Sequence, residues 1–208
     1  MMDVFRFLAN RHPAVLKFGW RLGMWGLGFS FWGRFLAENP ANQEGFWPAV
    51  AKRWPLKGGD RNMPKGPIRL HLWHTRGALD GIIMGLWAQR TGRPWRIWTH
   101  PLVYRTLGAP DWAFSAPIDA ESWKAHYTWA QSVQGILIIF HAQPPRPRAD
   151  EQGPWHALAG QIALRDARGV EIGTFSAWKS LRWLAKHPAG LPIVLEWKVL
   201  GQDGSYQV

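Results

Sequence analysis

The sequence predicts an α/β domain in which helices cover both faces of a largely parallel β-sheet. Segments with strand periodicity alternate along the chain with segments of helical periodicity, and this order is typical of parallel sheets covered by helices. The 208 residues are 47% hydrophobic and 19% charged. That composition supplies enough apolar material for one core and argues against a disordered chain.

The prediction of a sheet depends on three strands. Ile68, Leu70 and Leu72 alternate with polar or larger residues, which is the period of a half-buried strand. Residues 136–140 form a continuous apolar run, and residues 193–199 alternate again. A further short strand is predicted at 95–98.

Helices are predicted between these strands. Apolar residues recur at helical spacing over 79–87, and Gly92 is expected to end that helix. Further helices are predicted over 120–134 and 176–187. Residues 38–66 are rich in Pro, Gly and Asn, and we interpret them as a connector.

The N-terminal segment is unusually basic and aromatic. We divide the chain into residues 1–40, a basic amphipathic segment at a membrane surface, and residues 41–208, the α/β domain. The longest charge-free stretch near the N-terminus, 22–33, is too short for a membrane span, which needs about 20 residues. We therefore expect an interfacial segment whose aromatic residues insert below the lipid headgroups, namely Trp20, Trp25, Phe29, Phe31 and Trp32. The alternative is a helix packed on the protein's own core.

Composition narrows the classes of partner and chemistry. The formal net charge of +11 favours a polyanionic partner, which leaves nucleic acid, anionic lipid and phosphate-bearing substrates open. The absence of cysteine excludes disulfides, thiolate metal sites and cysteine nucleophiles. Residues 1–11 lack the apolar region of a signal peptide, so we expect the cytoplasmic side. Most of the 16 tryptophans are expected to fill the core.

His74 and Asp80 are the candidate catalytic pair. His74 follows the strand 68–73, at the carboxyl edge where open α/β sheets bind ligands, and Asp80 begins the next helix. An imidazole beside a carboxylate can abstract a hydroxyl proton, because the carboxylate holds the useful tautomer and stabilises the imidazolium. A His and an Asp at this spacing also occur by chance.

The residues around this pair resemble the first motif of the lysophosphatidate (glycerol-phosphate) acyltransferase family. Gly-Gly-Asp-Arg-Asn-Met-Pro-Lys-Gly-Pro-Ile at 58–68 is similar to the family's glycine- and proline-containing turn. That turn leads into a strand that ends in Asn-His, and Leu-Asp closes the motif. Here the strand ends in Trp73-His74, and Leu79-Asp80 closes the motif.

Later segments resemble the same family in order and spacing over roughly residues 55–200. Ala-Pro-Ile-Asp at 116–119 looks like its Pro-Val-Asp-Arg element, and Gly-Ile-Leu-Ile-Ile-Phe at 135–140 looks like its Gly-x-x-x-x-Phe strand. Residues 175–185 followed by Leu-Pro-Ile-Val at 191–194 look like its helix and following strand.

Two departures from the family pattern alter the first motif. The family spaces its His and Asp by four residues, whereas five residues separate His74 from Asp80. Gly77 is expected to absorb the additional residue, because glycine accepts left-handed and bulged conformations at little cost. Trp73 also stands where the family usually has Asn.

The second motif departs further. After the equivalent of Phe140 the family has Pro-Glu-Gly-Thr-Arg, which helps to bind the acceptor phosphate. This chain has His-Ala-Gln-Pro-Pro-Arg at 141–146, without the glutamate. Arg146 and Arg148 remain near the position of the family's arginine, and arginine binds phosphate in a bidentate manner.

The resemblance implies an O-acyltransferase at the cytoplasmic face of the membrane. His74 is the expected base and Asp80 its orienting acid, and the expected substrate-binding residues are Arg76, Gly77, Phe140, Arg146 and Arg148. The donor is expected to be an acyl thioester of coenzyme A or acyl carrier protein, and the acceptor a hydroxyl of a lysophospholipid, glycolipid or other lipid alcohol. Neither cofactor nor metal is expected. The alternatives are a non-catalytic lipid-binding relative and a basic, Trp-rich nucleic-acid-binding protein.

Overall fold

The secondary structure consists of helices alternating with strands. A computed structural model describes residues 30–60, 63–115, 120–142, 156–174, 177–200 and 206–207. Its helices are α1 Ser30–Glu38, α2 Phe46–Arg53, α3 Ala78–Arg90, α4 Pro101–Thr106, α5 Ala120–Ser132 and α6 Ala177–Lys186. Its strands are β1 Leu56–Gly58, β2 Ile68–Trp73, β3 Trp95–Trp98, β4 Ala113–Phe114, β5 Ile136–His141, β6 His156–Arg165, β7 Ile193–Leu200 and β8 Tyr206–Gln207.

The strands form one mixed and mostly parallel sheet. Its order is β1-β7-β6-β2-β5-β3-β4, with β8 paired to β7. The central strand β2 is parallel to both its neighbours, β5 and β6, and β3 and β4 continue the parallel part beyond β5. On the other side, β7 runs antiparallel to β6, and β1 is parallel to β7. The predicted α/β class and largely parallel sheet are confirmed.

Both faces of the sheet are covered, because successive strand residues point to opposite faces. One face packs under α1, α2, α3 and α6, and its strand members in the main core cluster include Ile68, Leu70, Leu72, Ile136 and Ile138. On the opposite face, Leu137 of β5 packs with Ala130 of α5 and with Phe114. The alternation of burial along β2 matches the sequence periodicity that predicted the strand.

The predicted strands at 68–73, 95–98, 136–140 and 193–199 all lie in this sheet. Sequence reasoning missed β6, in which Leu158, Ile162 and Leu164 do fall at alternate positions, although Gly160 interrupts the pattern. Small residues occupy the positions between them, as at Ala159 and Ala163, and weaken the contrast between the two faces. The sequence analysis also did not predict that β7 is antiparallel to β6, because the direction of a strand does not affect the periodicity of its side chains.

The interpretation of residues 38–66 as a connector was wrong in part. This stretch contains α2 and β1. Pro48 obscured α2 in the sequence, but it lies in the first turn, where the missing N–H would have no partner within the helix. The predicted helices at 120–134 and 176–187 are found as α5 and α6, with ends one or two residues shorter.

Tryptophan forms much of the layer between the helices and the sheet, as expected. Trp32 stacks on Trp54 with ring centroids 5.3 Å apart. Their indole N–H groups donate to the backbone of α6, Trp32 to the Leu181 carbonyl at 2.9 Å and Trp54 to the Leu184 carbonyl at 3.1 Å. These hydrogen bonds allow large polar-edged rings to be buried without an unsatisfied donor.

Helix α1, the described part of the predicted membrane-surface segment, packs on the core of the α/β domain. The expectation that Phe31 and Trp32 insert into a membrane was wrong: Trp32 is only 5% exposed, and Phe31 packs against the same core. The amphipathic pattern of α1 reflects packing on α6. The remainder of the predicted segment, residues 1–29, lies outside the described residues. Among the described helices, none is long and apolar enough to cross a membrane.

Trp32→Ala should lower the free energy of unfolding by about 3–5 kcal/mol, the range for truncating a buried aromatic residue. The loss would come from the stacked contact with Trp54 and from the cavity left beneath α1. Chemical denaturation of the full chain measures it. Arg34→Ala is the matched control, since Arg34 is exposed on the same helix. A loss below about 1 kcal/mol for Trp32→Ala would show that α1 does not belong to the core.

Candidate active site

His74 lies at the carboxyl edge of the sheet, immediately after the central strand β2. Its backbone N–H donates to the His141 carbonyl at 2.8 Å, which extends the pairing of β2 with β5 by one residue. The imidazole is 37% exposed. A histidine held by the sheet backbone, with its ring accessible, can meet a ligand bound beyond this edge.

Asp80 faces His74 from the first turn of α3. Its Oδ2 lies 3.4 Å from His74 Nδ1, and its side chain is completely buried. The predicted proximity of the two side chains is therefore confirmed. The separation exceeds that of a good hydrogen bond, and catalytic contacts in structures without ligand are often long and shorten when substrate binds.

The turn between the two residues holds the carboxylate in place. Asp80 Oδ2 accepts hydrogen bonds from the backbone N–H groups of Thr75, at 2.9 Å, and Arg76, at 2.8 Å. Gly77 has φ 55° and ψ −133°, a conformation that residues with a side chain rarely adopt. The prediction that Gly77 accommodates the additional residue between His74 and Asp80 is confirmed in its geometry.

Arg76 is bound to the protein rather than presented to a ligand. Its side chain is 3% exposed. Nε donates to the Ile172 carbonyl at 2.7 Å, and Nη1 donates to the Ile162 carbonyl at 2.9 Å and to Thr75 Oγ1 at 3.0 Å. Nη1 also lies 3.7 Å from Asp80 Oδ1. The expectation that Arg76 contacts substrate is corrected: its guanidinium joins the turn between His74 and Asp80 to β6 and to the segment before α6.

Phe140 forms an apolar wall beside His74. The two rings have centroids 4.9 Å apart, and Phe140 also packs against the main core cluster. Phe140 reaches this site because it lies near the end of β5, which is next to β2 in the sheet. No local sequence signal links Phe140 to His74. An apolar neighbour suits an acyl chain or another hydrocarbon group.

A second pair of histidines lies on the opposite face of the same edge, and the sequence analysis did not predict it. His71 Nδ1 and His141 Nε2 are 2.8 Å apart, so one ring donates to the other. Burial lowers the pKa of the His141 imidazole below its ordinary value of 6.5, which favours the neutral form. The sequence did contain a signal for this pair: His71 is a polar residue inside strand 68–73, and His141 directly follows Phe140.

Two predicted site residues, Arg146 and Arg148, lie outside the described residues. Within the described ranges, no group of three or more His, Asp or Glu side chains could hold a metal ion. His71 pairs with His141 while His74 faces Asp80, so the two histidines of this strand end do not converge.

Comparison with protein-family models, with curated proteins and with solved structures finds no match to this chain. The resemblance to the acyltransferase family therefore rests on the motifs in the sequence, and it remains a prediction.

Proposed function

We propose that this protein is an O-acyltransferase that moves an acyl group from a thioester to a lipid hydroxyl, using His74 as the general base. The observation that carries the proposal is the pairing of an accessible imidazole with a buried, backbone-anchored carboxylate at the carboxyl edge of the central strand. The residues of the first acyltransferase-like motif supply both groups.

The geometry suits proton transfer in both directions. In the proposed tautomer, the proton is on His74 Nδ1, which faces Asp80 Oδ2 at 3.4 Å, and Nε2 accepts the proton of the acceptor hydroxyl. The hydroxyl oxygen then bonds to the thioester carbonyl carbon, and the C–S bond breaks as the tetrahedral intermediate collapses. The imidazolium returns the proton to the departing thiolate, so the products are an ester and a thiol.

Asp80 stabilises the imidazolium while it exists. Its carboxylate lies at the N-terminus of α3, where a negative charge is favoured, and the buried guanidinium of Arg76 lies beside its second oxygen. Arg76 is assigned here as a positioning residue. Gly77 allows the turn its conformation, and Phe140 is assigned to contact with a hydrocarbon part of a substrate.

The proposed reaction takes place at the cytoplasmic face of a membrane, which the protein binds as a peripheral protein. The net positive charge favours an anionic lipid surface. A nucleic-acid-binding role has less support, because such proteins offer aromatic faces on which bases stack. All tryptophans whose side chains are described are at least partly buried.

The altered second motif predicts a changed acceptor. In the family that the motifs resemble, this segment places a carboxylate and an arginine around a glycerol-phosphate headgroup. Here residues 141–149 contain no acid and include three prolines. The loss of a polar contact to a substrate group relaxes or redirects the selection of that group. We therefore expect the kcat/KM for a lipid alcohol without phosphate to exceed that for lysophosphatidate by about tenfold or more.

The test is acyl transfer by the purified chain, from the same acyl group carried by coenzyme A or by acyl carrier protein, to three acceptor classes: lysophosphatidate, other lysolipids and neutral lipid alcohols. Ester formation is measured together with thiol release. The absence of transfer to every acceptor, with coenzyme A and acyl carrier protein donors alike, would favour the non-catalytic lipid-binding relative. A preference for lysophosphatidate that Arg146→Ala weakens would contradict the predicted change of acceptor.

A further inference from the structure

Helix α6 presents a row of basic side chains to solvent. Lys179, Arg182 and Lys186 are all exposed, and their spacing of three and four residues places them on one side of the helix. The helix contains no acidic residue. Its opposite side is buried, with Ser180 and Leu184 at 0% exposure. We call these three exposed residues the α6 basic surface.

The connection that contains α6 begins and ends at the same edge of the sheet as His74. Before α6, the Ile172 carbonyl accepts the hydrogen bond from Arg76, two residues from His74. After α6, Val194 at the start of β7 pairs with Arg165, the last residue of β6. Because β6 is parallel to β2, that end of β6 belongs to the carboxyl edge. Both ends of the connection that contains α6 are therefore held at the edge of the candidate active site.

Two exposed apolar side chains precede and follow this helix in the sequence. Val170, at 56% exposure, comes shortly before Ile172, and Leu191, at 42% exposure, follows α6. Leu191 is held close to the end of the helix, because its carbonyl lies 3.2 Å from His187 Nε2. Basic side chains beside protruding aliphatic ones suit a lipid interface, where cations meet anionic headgroups and aliphatic groups enter the acyl boundary.

We propose that the α6 basic surface docks on an anionic lipid bilayer and turns the His74 edge towards the membrane. This inference rests on the proposed function in one respect, since it assumes that the acceptor lies in the bilayer. Docking through α6 presents a membrane-bound hydroxyl to His74 without removing the lipid from the membrane. The neighbouring helix α1 adds one exposed cation at Arg34, and its Trp32 bonds to α6.

The experiment compares two triple variants of the full chain that carry the same change in charge. The first removes the α6 basic surface: Lys179→Gln, Arg182→Gln and Lys186→Gln. The second is the matched control, which removes three exposed cations elsewhere: Lys65→Gln, Arg105→Gln and Lys124→Gln. Binding is measured by flotation with vesicles of phosphatidylcholine containing phosphatidylglycerol, and with vesicles of phosphatidylcholine alone.

The α6 variant should bind anionic vesicles about a hundredfold more weakly than the unmodified chain, and the control should change far less. Binding of the unmodified chain should fall as salt is raised, because added ions screen these charges. Thermal unfolding checks that both variants are folded, and Arg182→Gln alone is a milder second variant. Equal losses in the two triple variants, or undiminished binding by the α6 variant, would overturn the inference.

A second measurement separates this inference from the proposed catalysis. Transfer to a short-chain acceptor dissolved as monomers should be the same in the α6 variant and in the unmodified chain, while transfer to an acceptor embedded in anionic vesicles should fall. If the unmodified chain transfers no acyl group, the proposed function fails, and vesicle binding still tests docking. Tighter binding of single-stranded DNA than of anionic vesicles, lost in the α6 variant, would assign the surface to nucleic acid and overturn membrane docking.

Discussion

His74→Ala should lower kcat for acyl transfer by about 10²–10⁴-fold, the usual contribution of a positioned general base. The free energy of unfolding should fall by less than about 1 kcal/mol, because the imidazole is partly exposed and its contact with Asp80 is long. Steady-state kinetics and denaturant unfolding of the same preparation measure the two effects.

The matched control for this variant is His100→Ala. His100 is exposed and follows β3, another strand of the parallel part of the sheet, but it is separated from β2 by β5. Its replacement should leave turnover close to that of the unmodified chain. Full activity in His74→Ala would rule out the proposed base and make the His71–His141 pair, at the ends of the same two strands, the next candidate.

Asp80→Asn should reduce both turnover and stability. Turnover should fall by about 10²-fold or more, because an amide neither stabilises imidazolium nor holds the same tautomer. The free energy of unfolding should fall by about 1–3 kcal/mol, since Asp80 is fully buried and Oδ2 accepts two backbone hydrogen bonds. An amide placed there weakens both bonds or turns a donor towards them.

Asp60→Asn provides the comparison, because Asp60 is 84% exposed and bonded to Arg90 at the surface. It should change neither turnover nor stability appreciably. Kinetics are measured at a temperature at which unfolding curves show Asp80→Asn to be folded, so that lost turnover is not lost protein. Unchanged kcat in folded Asp80→Asn would remove the orienting role and leave Asp80 as a structural anchor of the turn.

The hydrogen bonds to Asp80 explain how the longer spacing between His and Asp is accommodated. Five intervening residues form a turn in which the backbone N–H groups of Thr75 and Arg76 fold back onto the carboxylate. Gly77 supplies the positive φ that reverses the chain. Arg76 then fastens this turn to two carbonyl groups that are distant in sequence. The geometry needed for a His–Asp contact is thus obtained with one residue more than in the acyltransferase motif that this segment resembles.

The sequence by itself determined the α/β class, the main strands and the proximity of His74 to Asp80. These depend on local quantities: side-chain periodicity, turn chemistry and a short separation between a strand end and the next helix. The conformation of Gly77 was also predictable, because an additional residue in a tight turn requires a backbone that few other residues adopt.

Only the tertiary structure decided the direction of β7, the burial of Trp32 and the role of Arg76. Each depends on partners distant in the chain: β6 for β7, the Leu181 carbonyl for Trp32, and the Ile162 and Ile172 carbonyls for Arg76. An amphipathic helix has the same sequence pattern whether its apolar side meets a membrane or a sheet, and an arginine beside a catalytic residue has the same identity whether it binds substrate or backbone. Side-chain periodicity and motif spacing show which side of a helix or strand is apolar. Only the long-range contacts determine what that side packs against.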